Sequence, residues 1–236
     1  MEIIPAILPA HFAELEQKVA QVRAASIAEL TTIQIDICDG KYTPNATWPY
    51  RKADQSFEAI LREERGLPGW EDFDFEIDLM AHEPEKLLGD WLTAGASRVI
   101  IHLDALAADT AAAMAELGRI IGTCRGLVEI GIAVGVETVA ERVAAVAAQY
   151  REDISVVQCM GIAHAGFQCQ PFDERVLARI AEVKALFPGV PVSVDGGVNL
   201  ETVGRLAEVG VTRAVAGSAV FEMGSVRENI EALGGF

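Results

Sequence analysis

Apolar runs of strand length recur along this chain, at residues 2–8, 31–37, 73–79, 97–103, 127–134, 154–160, 190–195 and 212–216. Alanine-rich stretches with amphipathic helical spacing follow them, near residues 11–25, 54–65, 83–94, 107–123, 137–148, 173–187, 199–209 and 225–233. The runs are almost continuously hydrophobic and β-branched, as in a parallel sheet covered by helices on one face and filled on the other. Eight strand–helix units in strict alternation predict an α/β fold, a (β/α)8 TIM barrel. A doubly wound open sheet is the runner-up, although it usually has fewer units. No composition break or Ser/Pro-rich linker divides the chain, so residues 1–236 read as a single barrel domain.

The loops after the strands shape the site in such a barrel. The widest irregular stretch, residues 39–52, follows the second strand and carries Pro44, Asn45, Trp48, Pro49 and Tyr50. Residues 62–74, with Gly66, Pro68 and Gly69, fall at the opposite end and read as a stability or contact feature.

Hydrophobic residues make up 51% of the 236 positions, enough for a sizeable core. No apolar stretch approaches the ~18 residues that suggest a membrane span. The start, Met1-Glu2-Ile3-Ile4-Pro5, lacks the basic region of a signal peptide and reads as strand. A cytoplasmic protein is the expectation. With 19 basic and 35 acidic residues the formal charge is −16, a field that repels nucleic acid and anionic membranes. The same field opposes a phosphorylated ligand, so any phosphate site must be a local arrangement of N–H dipoles. Cys38, Cys124, Cys159 and Cys169 show no CxxC spacing, which favours reduced thiols over a zinc site.

Two strand ends carry such dipoles. Val192-Ser193-Val194-Asp195 leads into Gly196-Gly197, and Ala214-Val215-Ala216 leads into Gly217-Ser218. Glycine turns of this kind expose backbone N–H groups that hold phosphate without lysine. Other strand ends offer Gln34 and Asp36, Asp78, and His102. Period-two geometry puts Gln34 and Asp36 on one face of their strand. An acid flanked by isoleucines is costly unless paired or functional. Asp39 beside Gly40 reads as a turn residue, and His82 and His164 as loop residues. His102 is balanced between a core histidine and a site residue. Asp36 and Asp195 lie on strands three places apart and approach the axis from nearly opposite sides. Two such carboxylates can take a proton from one face of a carbon and return one to the other, given a neighbouring carbonyl and electrostatic support for the enediolate.

Several pieces, in order and in register with the strands, resemble the ribulose-phosphate 3-epimerase family along nearly the whole chain. They are Ile4-Pro5-Ala6-Ile7-Leu8, the run from Ile35-Asp36-Ile37 through Asp39-Gly40 to Pro44-Asn45, and Asp78-Leu79-Met80. Gly166-Phe167-Gln168-Cys169-Gln170-Pro171-Phe172, Val194-Asp195-Gly196-Gly197-Val198 and Ala216-Gly217-Ser218-Ala219-Val220-Phe221 complete the set. The resemblance implies a homo-oligomer that epimerises a phosphorylated ketose, typically ribulose 5-phosphate to xylulose 5-phosphate. It makes Asp36 and Asp195 the acid/base pair, and Gly166, Gly196, Gly197, Gly217 and Ser218 the phosphate turns. It also implies a divalent metal, often zinc, on those two aspartates and two histidines.

The chain departs from that pattern at both histidines, which fall at Gln34 and Asp78. Ala6 replaces the usual serine, Cys38 a methionine, and Lys41 a histidine. The oxygen-rich set Gln34, Asp36, Asp78 and Asp195 suits Mg²⁺ or Mn²⁺ better than Zn²⁺. The alternatives are a protonated acid, or a cation such as Lys41 entering the site. Two other readings remain: an aldolase or decarboxylase working through an enediolate, and a non-catalytic sugar-phosphate-binding barrel. Related decarboxylases carry an Asp-x-Lys-x-x-Asp arrangement on the third strand, and here Met80 stands at the lysine.

Overall fold

A computed structural model describes residues 1–236 except Ala53, Gln168, Cys169, Met223 and Phe236. Eight parallel strands close into a barrel in sequence order. They are β1 (Glu2–Ile7), β2 (Thr32–Cys38), β3 (Asp74–Met80), β4 (Ala96–His102), β5 (Glu129–Val134), β6 (Ile154–Met160), β7 (Val192–Asp195) and β8 (Arg213–Ala216). Around them run α1 (Phe12–Ala25), α2 (Gln55–Leu61), α3 (Leu88–Thr93), α4 (Thr110–Cys124), α5 (Ala140–Tyr150), α6 (Arg175–Leu186), α7 (Val203–Glu208), α8 (Ser218–Phe221) and α9 (Val226–Gly234). The (β/α)8 barrel is therefore the fold, and the open sheet is excluded. All eight strands stand where the apolar runs place them. The four-residue α8 has no counterpart in the sequence reading.

Alternation along the strands divides the core in two. Ile33, Ile35 and Ile37 of β2 belong to the large apolar cluster shared with the helices, as do Val99 and Ile101 of β4. Residues of the opposite parity, Gln34, Asp36, Glu76, Asp78, His102, Gln158, Ser193 and Arg213, are buried and polar. Small apolar groups fill the remaining interior: Ile4, Ala6 and Val215 in one cluster, Ile100, Ala133 and Met160 in another.

The two ends of the interior carry different chemistry. Near the strand starts, Glu76 Oε2 accepts from Arg98 Nη1 at 2.5 Å and from Arg213 Nη1 at 3.0 Å. Arg98 also pairs with Glu129, and Arg213 with Glu2 at 3.1 Å. Burial of Glu76 is tolerable because two guanidiniums meet it. The carboxylates and amides of the opposite end lie at the strand ends, under the loops that follow.

The long loop after β2 splits its labour. Asp39 Oδ1 accepts from the backbone N–H of Lys41 and Tyr42 at 2.9 and 3.0 Å, and Oδ2 accepts from that of His82 at 2.9 Å. Asp39 is thus the turn residue expected, and it also ties the β2 loop to the β3 loop. Thr47 Oγ1 bonds the backbone of Cys38 and Asp36 at 2.9 and 3.2 Å, fixing the strand end. Trp48 leaves the mouth altogether and packs among Phe12, Phe57 and Trp91 in the helical layer. Cys38, Cys124 and Cys159 are buried free thiols, whereas Cys169 lies outside the described residues. Among the described residues no helix is long and apolar enough to cross a membrane.

Candidate active site

β2 and β3 run in register, with Asp36 beside Asp78 and Gln34 beside Glu76. Asp195 ends β7 opposite Met160 of β6. Oxygens of Asp36, Asp78 and Asp195 all lie within 4.8 Å of one another. Gln34 Nε2 donates to Asp36 Oδ1 at 2.7 Å and to Asp195 Oδ2 at 3.2 Å. Gln158 Nε2 approaches the same Asp195 oxygen at 3.5 Å. The two aspartates therefore converge on one amide, closer together than acids facing each other from opposite walls.

Crowding of acids sets their protonation. Burial pushes Asp36 well above the ordinary carboxylate range, and the charges of Asp195 and Asp78 push the same way, against the Gln34 hydrogen bond. Burial, with the charge of Asp78, lifts Asp195 to about 7. These are the signatures expected of carboxylates sharing a low-dielectric site.

His102 belongs to this group. It ends β4, is 3% exposed, and its Nε2 lies 2.9 Å from Asp78 Oδ1. Burial alone would push the imidazole pKa down, but the charge and hydrogen bond of Asp78, helped by Asp195 and Asp104, carry it upward. The Tyr42 ring packs on it with centroids 5.5 Å apart. By contrast, His82 and His164 are exposed, as expected of loop residues. Lys41 is exposed too and does not enter the carboxylate cluster.

A cavity of about 470 Å³ opens above the acids. Asp36 and Asp195 line it together with Gly166, Gly196, Gly197, Gly217 and Ser218. The two aspartates and the glycine turns thus share one space. Among the described residues no lysine or arginine lines it; the polar side chains beside the acids are Gln170, Asn199 and Ser218. Gly196 and Gly197 adopt φ of +91° and +69°, a left-handed backbone that side chains resist. A Cβ at Gly197 would lie 2.9 Å from Phe172 Cα, and one at Gly196 would lie 2.7 Å from Ile162 Cγ1. The glycines are therefore required by both conformation and space. Gly217 caps α8, whose first N–H groups have no partner within the helix. Gly166 is held by Asn45, whose Nδ2 donates to its carbonyl at 3.1 Å. Gln168 and Cys169 of the same loop lie outside the described residues.

The donor set fits a hard divalent cation. Three carboxylates converge, and Asp78 Oδ2, Gln34 Oε1 and Gln158 Oε1 are buried without a hydrogen-bond partner among the described residues. Gln34 presents its N–H between two acids, where a positive charge would otherwise sit; turning the amide over would offer Oε1 instead.

A closed parallel barrel with an acid cluster and glycine turns lining one cavity defines the class, a (β/α)8-barrel enzyme. A model of the ribulose-phosphate 3-epimerase family matches residues 2–221, and the chain belongs to that family. It is 29% identical over 240 residues to the ribulose-phosphate 3-epimerase of Bacillus subtilis, covering 100% of this chain and 99% of that protein. It is 28% identical to the chloroplastic ribulose-5-phosphate-3-epimerase of Arabidopsis thaliana, covering 98% of this chain and 75% of that one. Among solved structures, a 3-hexulose-6-phosphate synthase superposes with a TM-score of 0.64 at 20% identity, over 99% of this chain and 98% of that one. KGPDC from Streptococcus mutans, in complex with D-R5P, gives 0.65 at 15% identity, over 99% and 95%. These two likenesses concern the fold.

Proposed function

We propose that the protein is an epimerase of a phosphorylated ketose, ribulose 5-phosphate or a close relative, with Asp36 and Asp195 as its acid and base. The observation that carries this reading is the single cavity lined by both aspartates and by all five phosphate-turn residues. Backbone N–H groups at Gly166, Gly196, Gly197, Gly217 and Ser218 hold the phosphate, which fixes the distance from phosphorus to the carbon above the acids. One aspartate removes the proton beside the ketone and the other returns one to the opposite face. This requires one carboxylate and one carboxylic acid at the same time. The raised pKa values of both groups favour a proton held within the pair near neutrality.

Asp36, Asp78, Asp195 and Gln34 would hold a divalent cation, Mg²⁺ or Mn²⁺ by the oxygen character of the set. When bound, such an ion supplies positive charge against the developing enediolate. Without the ion, Gln34 Nε2 bridges both acids and keeps them at a common point. The apolar wall of Ala6, Leu8, Met80, Met160 and Ile162 excludes water from the reacting carbon.

The test is incubation with ribulose 5-phosphate in D₂O, with Mn²⁺ or Mg²⁺ supplied. Deuterium should enter at C3 as xylulose 5-phosphate forms. Asp36→Asn and Asp195→Asn should each lose roughly 10²–10⁴-fold in rate, the scale of acid–base catalysis. Tight binding with no exchange from any ketose phosphate would instead identify a binding barrel, and carbon–carbon cleavage would identify an aldolase or decarboxylase.

A further inference from the structure

Asp78 is fully buried, yet His102 Nε2 is the one hydrogen-bond partner found for its side chain among the described residues. The other oxygen, Oδ2, is buried without a partner. A buried carboxylate with one hydrogen bond and two other acids beside it is an expensive arrangement. It becomes reasonable if the free oxygen is kept for something that comes and goes. His102 in turn is locked. It sits at the end of β4, is 3% exposed, and carries the Tyr42 ring on its face. Tyr42 is held by its own N–H to Asp39, which also grips the backbone of His82 in the β3 loop. A continuous brace therefore runs from the loop turn through Tyr42 and His102 to Asp78.

We propose that His102 is the positioning residue that makes Asp78 a cation ligand, pinning Oδ1 and leaving Oδ2 for the ion shared with Asp36 and Asp195. In the proposed arrangement Nε2 is the donor and Oδ1 the acceptor of this contact. The arrangement is the outer-shell logic of metal sites with the usual partners exchanged: the imidazole orients, and the carboxylate ligates. It rests on the reading that the site takes a divalent cation, and it does not depend on which ketose phosphate is turned over.

The experiment measures Mn²⁺ affinity by titration calorimetry, with circular dichroism as a check on folding. The parent, His102→Leu and His102→Gln are compared, since a glutamine Nε2 can stand near the imidazole Nε2 and leucine offers no donor. Removing the donor should weaken Mn²⁺ binding by about 10–100-fold, the usual cost of losing an outer-shell partner. His102→Gln should recover most of that loss. In the activity assay the His102→Leu defect should appear as a higher Mn²⁺ requirement, with turnover returning at high Mn²⁺ and KM for the ketose phosphate little changed. If His102→Leu does not fold, His102→Asn, whose shorter amide falls short of Oδ1, carries the same expectation. Parent-like Mn²⁺ affinity in the variant lacking the donor, a loss that glutamine does not repair, or a parent that binds no Mn²⁺ would each overturn the proposal. Normal Mn²⁺ binding by the parent without epimerase activity would overturn the proposed reaction and leave this inference standing.

Discussion

Gln34 Nε2 reaches Asp36 Oδ1 at 2.7 Å from two residues earlier on the same strand. The contact follows from strand periodicity, which stacks alternate side chains on one face. It also makes Gln34 the neutral placeholder between two acids, since the same nitrogen bonds Asp195. Replacing that amide with an imidazole should change which ion the site prefers. In Gln34→His, the ratio of Zn²⁺ to Mn²⁺ affinity should rise by about tenfold or more, because imidazole suits zinc and carboxamide oxygen suits harder ions. Competition calorimetry with the two metals measures it, and an unchanged ratio would count against Gln34 as a ligand.

The acid pair should make the metal-free protein more stable at lower pH. Asp195 titrates near 7 when folded and burial raises Asp36 as well, against 3.8 for an ordinary aspartate. Between those values the folded chain holds protons that the unfolded chain has released. This contribution is fully present below 3.8 and is lost as pH rises through the folded values. The upward shift of His102 acts in the same direction. Going from pH 8 to pH 6 should add on the order of 1 kcal/mol, a rise of roughly 2–4 °C in Tm. Saturating Mn²⁺ should reverse the slope, because cation binding needs deprotonated ligands. Calorimetric scans with EDTA or Mn²⁺ test both signs.

Asp36→Asn should separate activity from stability. The substitution removes a buried carboxyl whose ionisation burial, Asp195 and Asp78 all oppose. Catalysis should collapse while metal-free stability at pH 8 rises by about 0.5–2 kcal/mol, the range typical when a strained functional site is relieved. Urea unfolding of the two proteins provides the comparison; a destabilised variant would contradict the electrostatic account.

Gly197→Ala should damage ligand binding more than proton transfer. Its φ of +69° and the 2.9 Å approach to Phe172 Cα leave no room for a methyl group without moving the turn. KM for the sugar phosphate, or Kd for inorganic phosphate, should rise at least tenfold, with about 1–3 kcal/mol of strain in the fold. Equal KM values in parent and variant would remove this turn from the phosphate site.

At the other end of the barrel, Arg213→Leu should cost about 3–5 kcal/mol, because it strips one of two cations from fully buried Glu76. Mn²⁺ affinity of the folded fraction should stay near that of the parent, which pairs an unfolding curve with a metal titration as the check.

The barrel was legible because its strands are apolar and its helices amphipathic, two local patterns that survive without tertiary context. Gln34, Asp36, Asp78 and Asp195 stood out for the same reason, as polar residues inside apolar runs. Glu76, Arg98 and Arg213 did not. Each looks like an ordinary charge near a strand start, and their pairing depends on strands β3, β4 and β8 meeting inside a closed ring. Trp48 was misleading for a related reason: it sits in the loop expected to shape the mouth, but packing with Phe57 and Trp91 draws it outward. His102 stayed undecided because only the neighbouring strand supplies Asp78. The four-residue helix after Gly217 is too short to leave a periodic signal.

The salt-bridged floor of Glu76, Arg98 and Arg213 lies near the strand starts, while the cavity opens at the strand ends. A ligand seated on the glycine turns, as proposed, would stand in that opening and become its own stopper. Under the proposed reaction, traffic of hydrogen isotopes between the acids and bulk water would then be timed by the ligand's comings and goings. The fraction of label washed out per turnover becomes a clock for residence in the cavity, read without any change to the protein.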